Sequence, residues 1–444
     1  MSLKTVHGIL QKIKNTSSTL LKEEILRESL QEETFKKVIV LAYDDSLHYK
    51  VKTLPSRKTC KPSPLLDDKP SNEELFAYLE KLAEQRGTSN DDKMKLGKLA
   101  SMDEETYEVV KMIINKDCKG GFSGKTINKA YPGLIMLMPY CRCSTAKTKE
   151  HTFNYAEGLI EQEKADGMFV NIIFDEKYSV MRTRNGNQVY QLDHLENFFK
   201  KADKCFTNTV YMGELLIQVN GKILPRKTGN GILNSCLQGT ADESARNAIV
   251  KLWDAVPIND FWKGKCDIPY KNRLTRVTKF IQAMNDPKLL SLIDTRLVYS
   301  KKESARFYQE MRAKGKEGTI GKKQNMKWAF NTSVDAIKHK NVDVAEMRIV
   351  SWRYGKEGTK YENCMGSIQC ETEDKLVQVS LSGFTDAERL ENWDEKVGKI
   401  CSVFYESVIS SESREKIKSL YLPQFDEMRP DRSYADTLED LETR

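Results

Sequence analysis

Lys164 stands in the stretch Glu163-Lys164-Ala165-Asp166-Gly167, a lysine beside a carboxylate and a glycine. The strand-forming run Phe169-Val170-Asn171-Ile172-Ile173-Phe174 follows it. A protonated lysine is a poor nucleophile, because its free pKa is about 10.4. Burial and cationic neighbours lower that value and leave a neutral amine able to attack. The same few residues also fit a lysine at the mouth of a strand with its ammonium in water, so the rest of the chain has to decide. A second stretch with chemical potential is Gly120-Gly121-Phe122-Ser123-Gly124-Lys125-Thr126-Ile127-Asn128. Small residues let a backbone approach a phosphate closely, and amides at a helix start favour an anion. Gly124-Lys125-Thr126 looks like the end of a Walker A loop, but the glycine required five residues before Gly124 is Lys119, which excludes a P-loop.

The elements that must position these residues fall into three zones. A chain of 444 residues exceeds one ordinary core and implies several domains. Residues 1–140 read as helical: Ser71-Asn72-Glu73-Glu74 and Ser101-Met102-Asp103-Glu104 fit the capping box, and Tyr107, Val110, Ile113 and Ile114 share one helical face. The proline-rich run from Leu54 to Pro70 reads as a loop. Between Lys116 and Lys149, seven basic residues stand against Asp117. Residues 141–340 mix strands and helices; Met168–Phe174 and Val210–Gln218 read as strands, and Thr240-Ala241-Asp242-Glu243 reads as a capping box opening a helix that ends near Trp253. From 341 to 444 strands dominate, over Glu346–Trp352, Ser367–Cys370, Leu376–Ser380 and Ile400–Phe404, with Gly355, Gly358, Gly366 and Gly383 between them. That pattern fits a small β-barrel of the OB type, followed by an acidic helix or tail.

Composition narrows the class. The net charge of +7 is compatible with a polyanionic partner without demanding one. There is no run of 18 apolar residues and no signal-peptide core, so neither a membrane span nor a membrane partner is expected. The ten cysteines include no Cys-x-x-Cys, which argues against a zinc finger and a disulfide framework and makes a reducing, cytoplasmic setting the default.

Lys164-Ala165-Asp166-Gly167 resembles the first motif of the covalent nucleotidyltransferases, the superfamily of DNA ligases, RNA ligases and capping enzymes. Further motifs of that superfamily are matched in order. Thr183-Arg184-Asn185-Gly186 resembles Ser/Thr-Arg-x-Gly, Gly213-Glu214-Leu215 resembles Gly-Glu-Leu, and Leu252-Trp253-Asp254 resembles the aromatic-plus-Asp motif. Glu317-Gly318-Thr319-Ile320-Gly321-Lys322 resembles the Glu-Gly motif, Lys338-His339-Lys340 resembles Lys-x-Lys, and Arg429-Pro430-Asp431-Arg432 resembles Arg-x-Asp-Lys with arginine for the lysine. Gly121-Phe122-Ser123 followed by Asn128-Lys129-Ala130-Tyr131-Pro132-Gly133-Leu134 resembles the DNA-gripping stretch of ATP-dependent DNA ligases, and Arg226 to Thr240 resembles those of T-even-like phages.

The resemblance implies a helical DNA-binding domain over 1–140, an α+β adenylation domain over 141–340 and an OB-fold domain over 341–444. It implies an ATP-dependent DNA ligase that seals 5′-phosphate/3′-hydroxyl nicks through lysyl-AMP on Lys164. Gln162, Arg184, Glu214, Trp253, Lys338, Lys340, Arg429 and Arg432 would hold the nucleotide. Glu214 and Glu317 would hold Mg²⁺, which prefers oxygen ligands and phosphates to a closed protein cage. Lys119, Gly121, Ser123, Lys125, Asn128 and Lys129 would hold DNA, and a monomer would encircle the nicked duplex. An RNA ligase, another covalent nucleotidyltransferase and a non-catalytic DNA-binding protein are the alternatives. The family usually carries arginine where this chain has Phe169 and Thr332; Arg182 and Lys322 are the substitutes at hand.

Overall fold

Among the described residues of the first 130 there are seven helices: α1 (Leu3–Asn15), α2 (Thr19–Ser29), α3 (Glu33–Tyr43), α4 (Asn72–Glu84), α5 (Asn90–Ala100), α6 (Glu104–Ile114) and α7 (Gly124–Ala130). Ser2, Ser18, Ser71, Ser89 and Ser123 each accept a bond from the amide three residues on, which satisfies one orphan donor per helix. Helix α6 corrects the sequence reading. Its N-cap is Asp103, whose carboxylate accepts from the Thr106 amide at 2.7 Å, while the Ser101 hydroxyl donates back to the Gly97 carbonyl and closes α5. A charged acceptor makes the stronger cap, so the helix starts two residues later than expected. Leu10, Ile13, Leu26, Phe35, Val38 and Ile113 form the centre of the helical core.

The computed structural model describes residues 1–60, 71–85, 87–145, 149–176, 179–340, 343–356, 360–405, 407–410 and 417–443. Most of the expected loop to Pro70, together with Lys147, Gly358 and the side chain of Lys340, lies outside the described residues.

The next strands are β1 (Arg142–Thr145), β2 (Leu159–Lys164), β3 (Met168–Phe174), β4 (Ser179–Thr183), β5 (Thr209–Val219) and β6 (Lys222–Ile223). Then come β7 (Ala248–Pro257), β8 (Lys265–Cys266), β9 (Leu290–Leu292), β10 (Thr295–Val298), β11 (Gly318–Lys323), β12 (Trp328–Ala329) and β13 (Thr332–Lys340). Helices α8 (Asp193–Phe199), α9 (Arg226–Gln238), α10 (Ile258–Lys263), α11 (Tyr270–Met284) and α12 (Lys301–Ala313) alternate with them. One sheet has the order β1-β13-β11-β2-β10; the other runs β4-β3-β5-β7-β9, with β6 on β5.

The helix expected from Thr240 to Trp253 is absent. Asp242 caps a short 3₁₀ turn over Glu243–Asn247, and the chain then runs as strand β7. Ile249, Val250 and Val256 are β-branched and buried, and β7 is flanked by β5 and β9. A run that is apolar on both faces has no periodicity to separate a buried helix from a central strand, so its neighbours decided.

The chain folds into two compact units, Met1–His339 and Lys340–Arg444. The second carries β14 (Asp343–Tyr354), β15 (Met365–Glu371), β16 (Gln378–Leu381), β17 (Ile400–Tyr405), β18 (Ser407–Ser410), β19 (Lys418–Tyr421) and β20 (Gln424–Met428), with short helices α13 (Asp386–Arg389) and α14 (Leu438–Glu442). Five of these strands form an antiparallel sheet in the order β16-β15-β14-β17-β20. Among the described residues no closed barrel forms; a single bridge, Ser382 to Gln424, links the edges. Residues 424–428, expected in a helix or tail, supply an edge strand instead, because Phe425 packs into the core against Phe384 and Trp393.

Candidate active site

Strand pairing brings the chemical residues together. Strands β2 and β11 are antiparallel with Lys164 opposite Gly318, so Glu317 arrives beside the last residue of β2. The Lys164 ammonium donates to the Glu317 carboxylate in a close ion pair, with the two side chains only 20% and 14% exposed. This corrects the expectation of an amine held among cations: the nearest charged partner is a carboxylate. From the other sheet, β5 places Glu214 opposite Phe169. The Glu214 carboxylate accepts from the Gly167 amide at 3.0 Å. Burial pushes its pKa up to about 8, against the pull of that amide and of Lys164. A Cβ on residue 167 would lie 2.3 Å from the Leu215 carbonyl oxygen, so only glycine lets the motif turn approach β5 this closely. Arg226, at the start of α9, donates to Asp166 at 2.8 Å, and Asn230 donates to the Gly167 carbonyl at 3.3 Å, which ties the turn to that helix.

A cavity of about 280 Å³ opens on Lys164. Gln162, Arg184, Glu214, Trp253, Glu317 and Lys322 line it. Its apolar wall is a ladder of rings: Tyr140 meets Phe169 edge-on at 5.0 Å, and Phe169 meets Trp253 at 5.7 Å. The Arg184 guanidinium sits over the Tyr140 ring at 4.2 Å. Phe169, where the family has arginine, therefore serves as packing for Trp253. Gln162 is buried, and its carboxamide oxygen accepts from both the Tyr270 hydroxyl (2.6 Å) and Lys322 (2.9 Å). The single Tyr270 proton is shared with the Trp253 carbonyl, 2.7 Å away. Burial lowers the Lys322 pKa, against the opposing pull of Asp254. Asp254 itself forms a two-pronged ion pair with Arg273, at 2.8 and 3.1 Å, which anchors the Trp253 strand to α11.

Glu163 points to the opposite side of β2 and is 1% exposed. It accepts from Lys251 at 2.9 Å and pairs with Lys316 at 2.7 Å. Burial raises its carboxyl, but the two lysines outweigh that and hold it below the ordinary range. Such a group stabilises the fold above its unfolded pKa, and the contribution disappears as pH falls through the depressed folded value. The substitution Glu163→Gln is expected to cost about 3 kcal/mol at pH 7, because it leaves two partly buried lysines unpaired. Urea unfolding of the variant and the parent at pH 7 and pH 3 checks this; the difference should shrink at the lower pH.

The remaining expected residues divide. Ser123 and Lys125 share an open groove of about 780 Å³ with Tyr140, Arg142 and Arg184. Lys125 donates to the Phe330 carbonyl at 3.1 Å and lies over its ring. Asn128 is turned to structure, bonding both the amide and the carbonyl of Ile135. Lys129 pairs with Glu23, and Lys119 pairs with Asp117. Gly121 adopts a positive φ of 67° where the chain passes Lys22. Lys338 joins Lys322 and Lys164 in acting on the Cys143 thiol, whose pKa burial raises and these three cations lower. The side chain of Lys340 is outside the described residues. Arg429 and Arg432 belong to the second unit, where Arg429 pairs with Glu346 and grips Asp431 at 2.7 and 2.9 Å. Arg182 donates to the Gly186 carbonyl and lines a different cavity, so it does not replace the arginine absent at Phe169.

Sequence reading missed Tyr140, Arg142 and Tyr270. Arg142 pairs in register with Thr332, the other position lacking the usual arginine, and its guanidinium lies 6.0 Å from the Tyr140 ring. The only available signal was Arg142 within the basic stretch; its proximity to Thr332 depends on a pairing between residues far apart in the chain.

The model of the family described as "ATP dependent DNA ligase domain" matches residues 139–340, the segment that carries Lys164, Glu214, Trp253 and Glu317. The DNA ligases of Enterobacteria phage T4 and Enterobacteria phage T6 are each 26% identical over 491 aligned positions, covering 98% of this chain and 97% of theirs. The solved structure Pmar-Lig_PreS3 superposes with a TM-score of 0.68 at 21% identity, covering 96% of this chain and 99% of that one, which is a likeness of fold. With its α+β nucleotidyltransferase-type fold and a lysine and two glutamates meeting at one cavity, the segment 139–340 is an ATP-dependent DNA ligase domain, in a chain similar along nearly its whole length to the phage DNA ligases.

Proposed function

We propose that this enzyme seals nicks in duplex DNA, with Lys164 as the covalent carrier of AMP. The observation that supports this most directly is the meeting of Lys164, Glu317 and Glu214 at the cavity walled by Trp253. The Lys164 amine attacks the α-phosphorus of ATP; an N–P bond forms, the P–O bond to the β-phosphate breaks and pyrophosphate leaves. The 5′-phosphate oxygen of the nick then takes the adenylyl group, and the amine is released. The 3′-hydroxyl next attacks the activated phosphorus and AMP departs. Charge develops on phosphate oxygens at each step, so placed cations carry much of the catalysis. Arg184, Lys322 and Lys338 serve as those cations from this unit, and Trp253 offers a flat ring to the base. Lys340, Arg429 and Arg432 keep the nucleotide roles that the resemblance implies.

The donor set fits Mg²⁺. Glu214 and Glu317 supply hard oxygens facing one cavity, and no group of three or more potential ligands exists among the described residues, which matches an ion completed by substrate phosphates. Glu214 and Glu317 would hold it, and it would neutralise phosphate charge.

The helical residues 1–140, with Ser123 and Lys125 along the groove, form the DNA-binding domain of this reading, residues 141–340, with Arg142 on the same groove, the adenylation domain and 341–444 an OB-fold domain. The enzyme closes round the duplex as a monomer. All ten cysteines are free, which supports a cytoplasmic setting. No helix among the described residues is long and apolar enough to cross a membrane.

Ligation of a nicked DNA duplex and of the same nick in RNA, across a salt series, tests the reading. Sealing of the DNA nick with a steep loss of binding as salt rises is expected. Preferential sealing of the RNA nick, or binding without ATP–pyrophosphate exchange, overturns it.

A further inference from the structure

A second cavity, of about 640 Å³, lies away from Lys164. Helices α4–α6 and the loop after α3 form one side; the β4 hairpin and α9 form the other. The two sides are seated tightly. Gly186 has φ +81°, and a Cβ there would lie 2.3 Å from the Asp45 carbonyl oxygen. Among the described residues five cations line the cavity, Lys50, Lys52, Lys93, Lys116 and Arg182, against one carboxylate, Glu84. We propose that this cavity is an anion site that binds phosphate groups, separate from the nucleotide pocket.

Three further observations support the site. Lys50 and Lys116 are held in place, because each donates to two carbonyls: Lys50 to Ala83 and Gln85, Lys116 to Leu41 and Asp44. The cations are therefore preorganised rather than free to swing into water, which lowers the entropic cost of gripping a ligand. Burial lowers the pKa of Lys116 to about 8 and of His48 to about 4. Lys116, Lys50 and Arg182 add to the fall at His48, Arg182 acts on Lys50 in the same direction, and Asp44 and Asp45 behind Lys116 offset only part. Arg182 repels Lys50 across the cavity, and a bound phosphate would relieve that repulsion. Finally, the Asn187 carboxamide oxygen on the wall is buried without a hydrogen-bond partner. Turned over, the same amide would present an N–H donor to an anion.

The phosphate can come from two sources. One is free pyrophosphate, which the ligase reaction releases; the other is a phosphodiester backbone. Isothermal titration of inorganic pyrophosphate into the Lys164→Ala chain, at fixed ionic strength, reads the site without nucleotidyl transfer. Saturable binding is expected. Adding Lys52→Gln and Lys93→Gln should weaken it about tenfold, the scale of losing charge-assisted contacts. Adding Glu84→Gln instead should tighten it, a direction that damaged folding cannot mimic. Equal affinity in all three backgrounds, or no binding at all, overturns the proposal. An unnicked duplex that displaces the pyrophosphate identifies the backbone as the natural occupant; simultaneous binding of both identifies the free anion. In the Lys164 background the double lysine variant should adenylate at the parent rate, which separates this site from the catalytic reading.

Discussion

Lys164→Ala is expected to abolish the covalent adduct altogether. The parent protein mixed with ATP and Mg²⁺ should gain roughly 329 Da in intact mass, the increment of one phosphoramidate-linked AMP. The variant should gain nothing, and sealing of an ordinary 5′-phosphate nick should fall by on the order of 10⁴-fold or more, the scale seen when a nucleophile is removed. The chemistry also predicts what survives. Once a nick already carries AMP on its 5′-phosphate, the lysine has no further bond to make. The variant should still join such pre-adenylated ends, which shows that it is folded and binds DNA. An adduct that persists in Lys164→Ala refutes the assignment of the nucleophile.

Glu317→Gln is expected to slow adenylation by on the order of 100-fold, the scale of losing one electrostatic stabiliser in an enclosed site. Two effects combine. The close ion pair with Lys164 is lost, so the amine loses the partner that orients it. On the proposed reading a hard oxygen donor for Mg²⁺ is also lost, so the Mg²⁺ concentration for half-maximal adenylation should rise. Titrating Mg²⁺ at saturating ATP separates them. A slower reaction with an unchanged Mg²⁺ requirement would assign Glu317 to positioning the lysine alone. The amide is nearly the size of the carboxylate, so packing around Gly318 should be retained.

The structure also places stability and catalysis on opposite faces of one strand. Along β2, the Lys164 ammonium meets Glu317 while the Glu163 carboxylate is buried with Lys251 and Lys316. The side-chain alternation of a strand makes this division automatic. Glu163→Gln therefore tests the scaffold, and Lys164→Ala tests the reaction, with adjacent residues.

Much of this protein was determined by the sequence alone. The run Met168–Phe174 became β3 with the expected limits, because β-branched and aromatic residues fit a sheet wherever they are placed. Residue types carried the expectation of chemistry: a lysine, two glutamates, a tryptophan and an arginine, in an order resembling the covalent nucleotidyltransferases, pointed to nucleotidyl transfer. Other features were decided only by tertiary structure. The segment 248–257 is apolar on both faces and became a strand because β5 and β9 flank it. Lys164 and Glu317 are 153 positions apart, and only the β2–β11 register sets them against each other. Arg142 reaches the place of Thr332 by the pairing of β1 with β13. The carboxamide of Gln162 meets Tyr270 and Lys322 because three separate segments converge there. Local propensity and side-chain chemistry are properties of neighbouring residues, so they can be read along the chain. Which charge faces which, and how dry the space between them is, depends on contacts between distant segments that only the packed fold creates.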